Sequence, residues 1–270
     1  MKPALANVNG IVIDMDGVLR RGSQALPGVE AFFTTLREHA IQLILATNNS
    51  TATPESVVTL MRGMGVAIKP EEMIGSAQAT AGYLRQNFAP GTRVITLGEE
   101  ALHNALREVG FRLVEDPLQA DVVVSGFNRR LDYPLLTRIA IAIQNGAAFI
   151  GTNPDKSFPL EEWIAPGNGA ILAALEATTG TAPVIIGKPE PHLYTQCLQR
   201  MGTSPHETLA LGDRLDTDIL GGQRTGMPTA LVLTGISTIE DIEATGIHPD
   251  WIFAGLPELT TALQQARGLL

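Results

Sequence analysis

Gly10-Ile11-Val12-Ile13-Asp14-Met15-Asp16-Gly17-Val18 decides the fold. An apolar, β-branched run stops at an acid, a second acid follows two residues on, and a glycine lets the chain turn away. The run Gly10 to Met15 predicts a strand. Outward from it, short β-branched runs ending in glycine, asparagine or aspartate recur between helix-length amphipathic stretches. Ile41 to Thr47 follows a helix that begins near Pro27, where a proline suits the first turn. Pro54 opens a further helix that ends at Gly63 to Gly65, and Ser76 reads as the N-cap of a helix through Phe88. Strand, helix and strand repeated in this way predict an α/β fold with a Rossmann-like, doubly wound, mainly parallel core sheet.

Pro90 and Gly91 break that pattern. After them come Val94 to Leu97, a helix through Val109, Phe111 to Val114, Val122 to Phe127, a helix over 134–145, Phe149 to Asn153, and a helix through Thr178. This is an α/β set of its own, and the main pattern resumes with Val184 to Gly187, Leu209 to Gly212, Thr229 to Leu233 and Trp251 to Ala254. Residues 80–182 therefore read as an inserted α/β domain, with 1–79 and 183–270 as the two parts of the core.

Composition narrows the function. With 44% hydrophobic and 17% charged residues the chain is globular, and its formal net charge of −9 opposes a polyanion, so nucleic acid is not an expected partner. The single cysteine, Cys197, cannot form an internal disulfide, and a cytoplasmic setting is expected. No run approaches the ~20 apolar residues that cross a bilayer, so no membrane partner is expected either.

Four segments, each at the carboxyl end of a predicted core strand, carry candidate chemistry, and in an open parallel sheet such ends meet where strand order reverses. The first is Asp14-Met15-Asp16-Gly17, whose two acids share one side of an extended chain. The second, Thr47-Asn48-Asn49-Ser50, offers a hydroxyl and main-chain amides to phosphate oxygens, and reads equally as an asparagine turn. In the third, Gly187-Lys188-Pro189, an ammonium held between glycine and proline can neutralise a phosphate and the carboxylate attacking it. The fourth runs from Gly212 through Asp213 to Asp218, where Asp218 opens the next helix and also reads as a simple cap. Several carboxylates in one pocket are costly unless a cation joins them, and hard oxygens suit Mg²⁺.

On these motifs the chain resembles the haloacid dehalogenase superfamily of phosphatases. More narrowly, it is similar to the branch with a large α/β cap, the nitrophenylphosphatase, phosphoglycolate phosphatase and NagD-like proteins. The likeness extends through Leu26-Pro27-Gly28-Val29, Thr152-Asn153-Pro154-Asp155, Pro166-Gly167 and the run from Gly212 to Gly235. It implies Asp14 as nucleophile, Asp16 as general acid and then base, Thr47 as a phosphate ligand and Lys188 as the charge stabiliser. It implies Mg²⁺ held by Asp14, the Asp16 main-chain carbonyl and Asp213, with Asp218 close by.

The inserted domain is expected to act as a lid that selects a small phosphorylated metabolite. Asn48 and Asn49 are candidate phosphate contacts, and Asn153 and Asp155 candidate choosers of the leaving group, as are Asn128, Arg129 and Arg130, which read equally as a solvated loop. Relatives often pair through the cap, which implies a homodimer. Arg20 and Arg21 stand where relatives often carry an aromatic residue. A phosphotransferase or mutase using the same aspartyl phosphate is the alternative, and a non-catalytic phosphometabolite-binding protein is a further one. Cys197, on an apolar helix face with Leu193 and Met201, reads as packing, and His39, His103, His192, His206 and His248 share no metal-ligand spacing. Trp163 and Trp251 read as packing residues, Trp163 with the option of touching substrate or a partner subunit.

Overall fold

Four apolar residues in a row, with polar groups only in the main chain, gain most from a strand whose two faces and two edges are all covered. The computed structural model describes residues 4–159 and 163–268, and in it Gly10–Ile13 is a strand buried along its whole length. It runs parallel to Gln42–Thr47 on one side and Thr208–Gly212 on the other, with Ile11 level with Leu43 and with Leu209. Thr229–Val232 and Trp251–Phe253 continue the sheet in parallel beyond Thr208–Gly212, and Met73–Gly75 forms the opposite edge. The chain thus leaves Gly10–Ile13 to build one side of the sheet and returns to build the other. Strand order reverses beside Gly10–Ile13, which makes the carboxyl ends of that strand and its two neighbours the place for a ligand.

The chain divides into two compact units, one of Met1–Thr47, Pro54–Ile74 and Lys188–Leu270, the other of Asn48–Thr53 and Gly75–Gly187. The second unit reaches past the 80–182 stretch at both ends. Val184–Ile185 belongs to it because this strand pairs with Ala148–Gly151, and Ser76–Asn87 because this helix packs on the helix Glu100–Glu108. Its own sheet is parallel, in the order Val184–Ile185, Ala148–Gly151, Val122–Ser125, Arg93–Leu97, Arg112–Leu113. Ile95, Val123, Phe149, Leu172 and Leu175 are buried together in its core. Among the described residues no helix is long and apolar enough to cross a membrane.

Several local readings shift. The first strand ends at Ile13 rather than Met15, so the two acids of the opening motif are not held on one face by strand alternation. Ser76 does not cap its helix. Gly75 precedes the helix as its cap, and Ser76 Oγ donates to the Asn48 carbonyl at 2.7 Å instead. Two hairpins, Arg20–Arg21 with Gln24–Ala25 and Ser157–Pro159 with Ile164–Pro166, are too short to show a two-residue period. Asp218 lies inside the wide turn Leu215–Ile219, a π-helical turn that precedes the helix Leu220–Arg224, so it does not open that helix.

Candidate active site

Asp14 is the first residue past its strand, yet its N–H still donates to the Leu211 carbonyl at 2.9 Å, which fixes the acid at the carboxyl end of the sheet's interior. The chain then turns through Gly17, whose φ of +82° lies in the left-handed region. A side chain there would also collide, since its Cβ would fall 2.3 Å from Asp213 Oδ2. The glycine of the opening motif thus makes room for the acid of the last one.

Lys188 follows the second unit's return to the core and is 3% exposed. Its ammonium donates to Asp14 Oδ1, to Asp218 Oδ1 at 2.6 Å and to the Ala46 carbonyl at 3.1 Å. Asp218 is held in turn by the Arg214 N–H, 3.2 Å from its Oδ2, and its carbonyl accepts from the Tyr194 hydroxyl at 3.0 Å. Asp213 accepts from the Ile236 N–H at 2.8 Å, and its carbonyl accepts from the Ser237 N–H at 3.0 Å. One carboxylate oxygen each from Asp14, Asp213 and Asp218 lies within 4.8 Å of the others.

Three carboxylates against one ammonium leave this buried pocket short of positive charge. The titration of its groups says the same. Burial raises Asp14 well above the usual carboxylate range, with Asp218 and Asp213 adding to it and Lys188 opposing. Asp213 is pushed up to about 7, by burial and then by Asp218. Burial alone would lower Lys188, but Asp14 and Asp218 outweigh it and hold the ammonium well above its ordinary value. Asp14 and Asp213 thus hold their protons more tightly than in water, which a bound cation would reverse. Buried, hard and anionic, the donor set fits a small divalent ion.

The remaining candidates are dispersed. Asp16 is exposed and pairs with Arg20 at 2.8 Å, and among the described residues it is not part of the acid cluster. Thr47 is buried at the end of its strand, next to the Ala46 carbonyl that receives Lys188. Asn49 is exposed, and its Oδ1 accepts from both the N–H and hydroxyl of Thr51, at 2.9 and 2.8 Å, as an asparagine turn does.

Within the second unit, Asn48 Nδ2 donates to Asp155 Oδ1 at 3.2 Å, Asn153 Nδ2 to the Asn48 carbonyl at 2.9 Å, and Asn168 Nδ2 to the Asn153 carbonyl at 2.9 Å. Buried polar groups need such partners, so this network ties the short Asn48–Thr53 piece to the rest of its unit. Asn168, Ser237 and the Ile236 amide were not foreseen. An amide carries no sequence signal, though Gly235 beside it does mark a close approach: a Cβ there would lie 1.8 Å from Asp213 Oδ2.

Cys197 is buried and burial pushes its thiol up to about 12, which rules out a ready thiolate. Trp163 is 75% exposed, so of its two readings the packing one fails.

Comparison with known proteins identifies the family. Residues 11–112 match the haloacid dehalogenase-like hydrolase family, and residues 185–259 match a second description, HAD-hydrolase-like. An acid sugar phosphatase of Staphylococcus aureus is 39% identical over 254 residues, 94% of this chain and 97% of the relative. The solved p-nitrophenyl phosphatase from Archaeoglobus fulgidus superposes with a TM-score of 0.90 at 33% identity, covering 94% of this chain and 99% of that one. Glycerol phosphate phosphatase from Mycobacterium tuberculosis, solved in complex with magnesium, gives 0.89 at 32% identity, over 100% of this chain and 80% of that one. The chain belongs to the haloacid dehalogenase-like hydrolases, as a phosphatase of the branch that holds the NagD-like and nitrophenyl phosphatases.

Proposed function

We propose that this phosphatase hydrolyses small phosphate monoesters through an aspartyl phosphate on Asp14, with Mg²⁺ as its cofactor. The observation that carries the reading is the buried meeting of Asp14 with Lys188, Asp213 and Asp218.

In this mechanism an Asp14 oxygen attacks phosphorus in line, forming the acyl phosphate bond as the bond to the leaving oxygen breaks. Asp16 delivers a proton to that oxygen, so the product leaves as an alcohol. Asp16, now a carboxylate, takes a proton from water as the water oxygen attacks phosphorus, which releases inorganic phosphate and restores Asp14. Lys188 holds the attacking carboxylate in place and faces the charge that gathers on the phosphoryl group. Thr47 contributes a hydroxyl to the phosphate, together with the amides of Asn48 and Asn49. Asn153 and Asp155 contact the leaving group. Asp14, Asp213 and the Asp16 carbonyl would hold Mg²⁺, supported by Asp218, and the ion would supply the positive charge that the pocket lacks.

The test is a screen for phosphate release from phosphoglycolate, sugar phosphates, nucleoside monophosphates, glycerol phosphate and p-nitrophenyl phosphate. Turnover of at least one ester in Mg²⁺, lost in chelator, is expected. Activity undiminished by chelator, or transfer of the phosphoryl group to a sugar with no free phosphate, would overturn the proposal.

A pH dependence follows from the same pocket. Asp213 holds a proton up to about pH 7 in the folded, metal-free protein, whereas an unfolded aspartate releases it near pH ~3.9. Between those values the unfolded chain binds fewer protons, so metal-free stability falls as pH rises. Mg²⁺ must displace the proton to bind. The rise in melting temperature on adding Mg²⁺ should therefore grow from pH 5 to pH 8. A shift equal at both pH values, or larger at pH 5, would contradict a site built on these acids.

A further inference from the structure

We propose that the inserted unit carries a second ligand site, for a small organic anion with an apolar body, in a cleft at the carboxyl ends of its own parallel sheet. The sheet of the second unit starts with Arg93–Leu97, moves outward to Arg112–Leu113, and comes back across to Val122–Ser125 on the other side. Its strand order therefore reverses beside Arg93–Leu97, as that of the core sheet does beside Gly10–Ile13. The rule that places a ligand at such a reversal applies to each sheet separately.

A cleft of about 550 Å³ opens at that position. Thr96 and Gly98 line it from the end of the first strand, Val114 from just past the second, and Asn128 from beyond the third. Its volume lies in the range of small-molecule sites.

The lining is built like a binding site. Leu113, Val114 and Leu135 supply a half-buried apolar wall. Polar groups of the lining are held in place, since His103 Nε2 and Thr96 Oγ1 are 2.8 Å apart and Asn128 Nδ2 donates to the Gly98 carbonyl at 3.1 Å. Arg107 and Arg138 face the cleft against the single acid Glu115. The lining thus carries two guanidinium groups to one carboxylate in a chain whose formal net charge is −9, which favours an anion there. Arg107 is partly committed to Glu100 at 2.9 Å, whereas no ion pair of Arg138 is recorded among the described residues. None of the candidate catalytic residues lines this cleft, so its occupant is a ligand other than the phosphoester being hydrolysed.

The probe is 2-naphthoate, which has a carboxylate and an apolar body but no phosphate for the core site. Titrated into the full chain and followed by amide NMR, it should give saturable shifts centred on Gly98, Val114 and Asn128, unaffected by inorganic phosphate. Arg138→Glu should weaken its binding about tenfold, since a favourable exposed charge is exchanged for a repulsive one, while Arg138→Lys should stay close to wild type. Val114→Trp should abolish binding by filling the cleft. Shifts scattered over the surface or centred on Asp14 and Lys188 would overturn the proposal. So would an unchanged affinity in Arg138→Glu, an exposed position whose variant folds regardless of how Val114→Trp behaves.

Discussion

Asp14→Asn should lower the turnover of any ester this protein accepts by roughly 10⁴–10⁶-fold, the scale on which a covalent nucleophile is lost. The amide keeps the shape of the carboxylate, so the loss would measure chemistry. Asp14 is also one of three clustered acids, and it shares the ammonium of Lys188 with Asp218. With it neutralised, Lys188 and Asp218 remain as a balanced pair, and the repulsion that Asp218 and Asp213 exert on a charged Asp14 is gone. The variant should therefore melt, without metal, no lower than the wild type, because active-site charge of this kind costs stability.

Acid quenching during turnover of a ³²P-labelled ester should leave label on the wild-type chain and none on Asp14→Asn. Turnover that survives the substitution, or label that persists in it, would show the nucleophile to lie elsewhere. A variant that loses activity and also unfolds would leave the labelling of the wild-type chain, mapped to its peptide, to decide the same question.

How far this site is legible in sequence depends on which physical rule places each residue. Asp14 and Asp213 each follow an apolar run with no polar side chain, and such runs become the interior strands of a parallel sheet. Their carboxyl ends are then neighbours by topology alone, and the structure has Gly10–Ile13 beside Thr208–Gly212. Lys188 is legible for a different reason, since a lysine between glycine and proline is not on the flexible face where lysines usually sit. Asp218 is only half legible. Its carboxylate reaches the cluster, but through the π turn Leu215–Ile219, for which no pattern in the sequence speaks.

Main-chain partners are invisible in the same way, as with the Ile236 amide on Asp213 and the Ala46 carbonyl on Lys188. The Arg20–Asp16 pair depends on a hairpin of two-residue strands, too short for any periodicity to register. The cleft of the inserted unit is hidden for a further reason, because its lining is drawn from Ile95 to Arg138 across two strands, two helices and the loops between them, and no short motif joins them.

Lys188→Met should lower the turnover by about 10²–10³-fold, comparable to removing one preorganised donor from a site of developing charge. Its effect on stability sets it apart from Asp14→Asn. Methionine fills the volume of the lysine stem but leaves Asp14 and Asp218 without their shared cation, beside the buried Asp213. Removing one partner of a buried ion pair typically costs about 3–5 kcal/mol, most of it from the charge left behind. Urea unfolding in chelator should show a loss of that order.

Two controls separate charge from packing. Adding Mg²⁺ should recover part of the loss, since a cation bound by the same acids replaces the missing charge. Introducing Asp218→Asn into Lys188→Met should also restore stability, because it removes an acid that has lost its ammonium, and the double variant should be more stable than Lys188→Met alone. If instead the two substitutions add as independent losses and Mg²⁺ changes nothing, Lys188 acts through its packing. The electrostatic account of the whole site, in which a surplus of buried carboxylates waits for a cation and a phosphoryl group, would then fail at its centre.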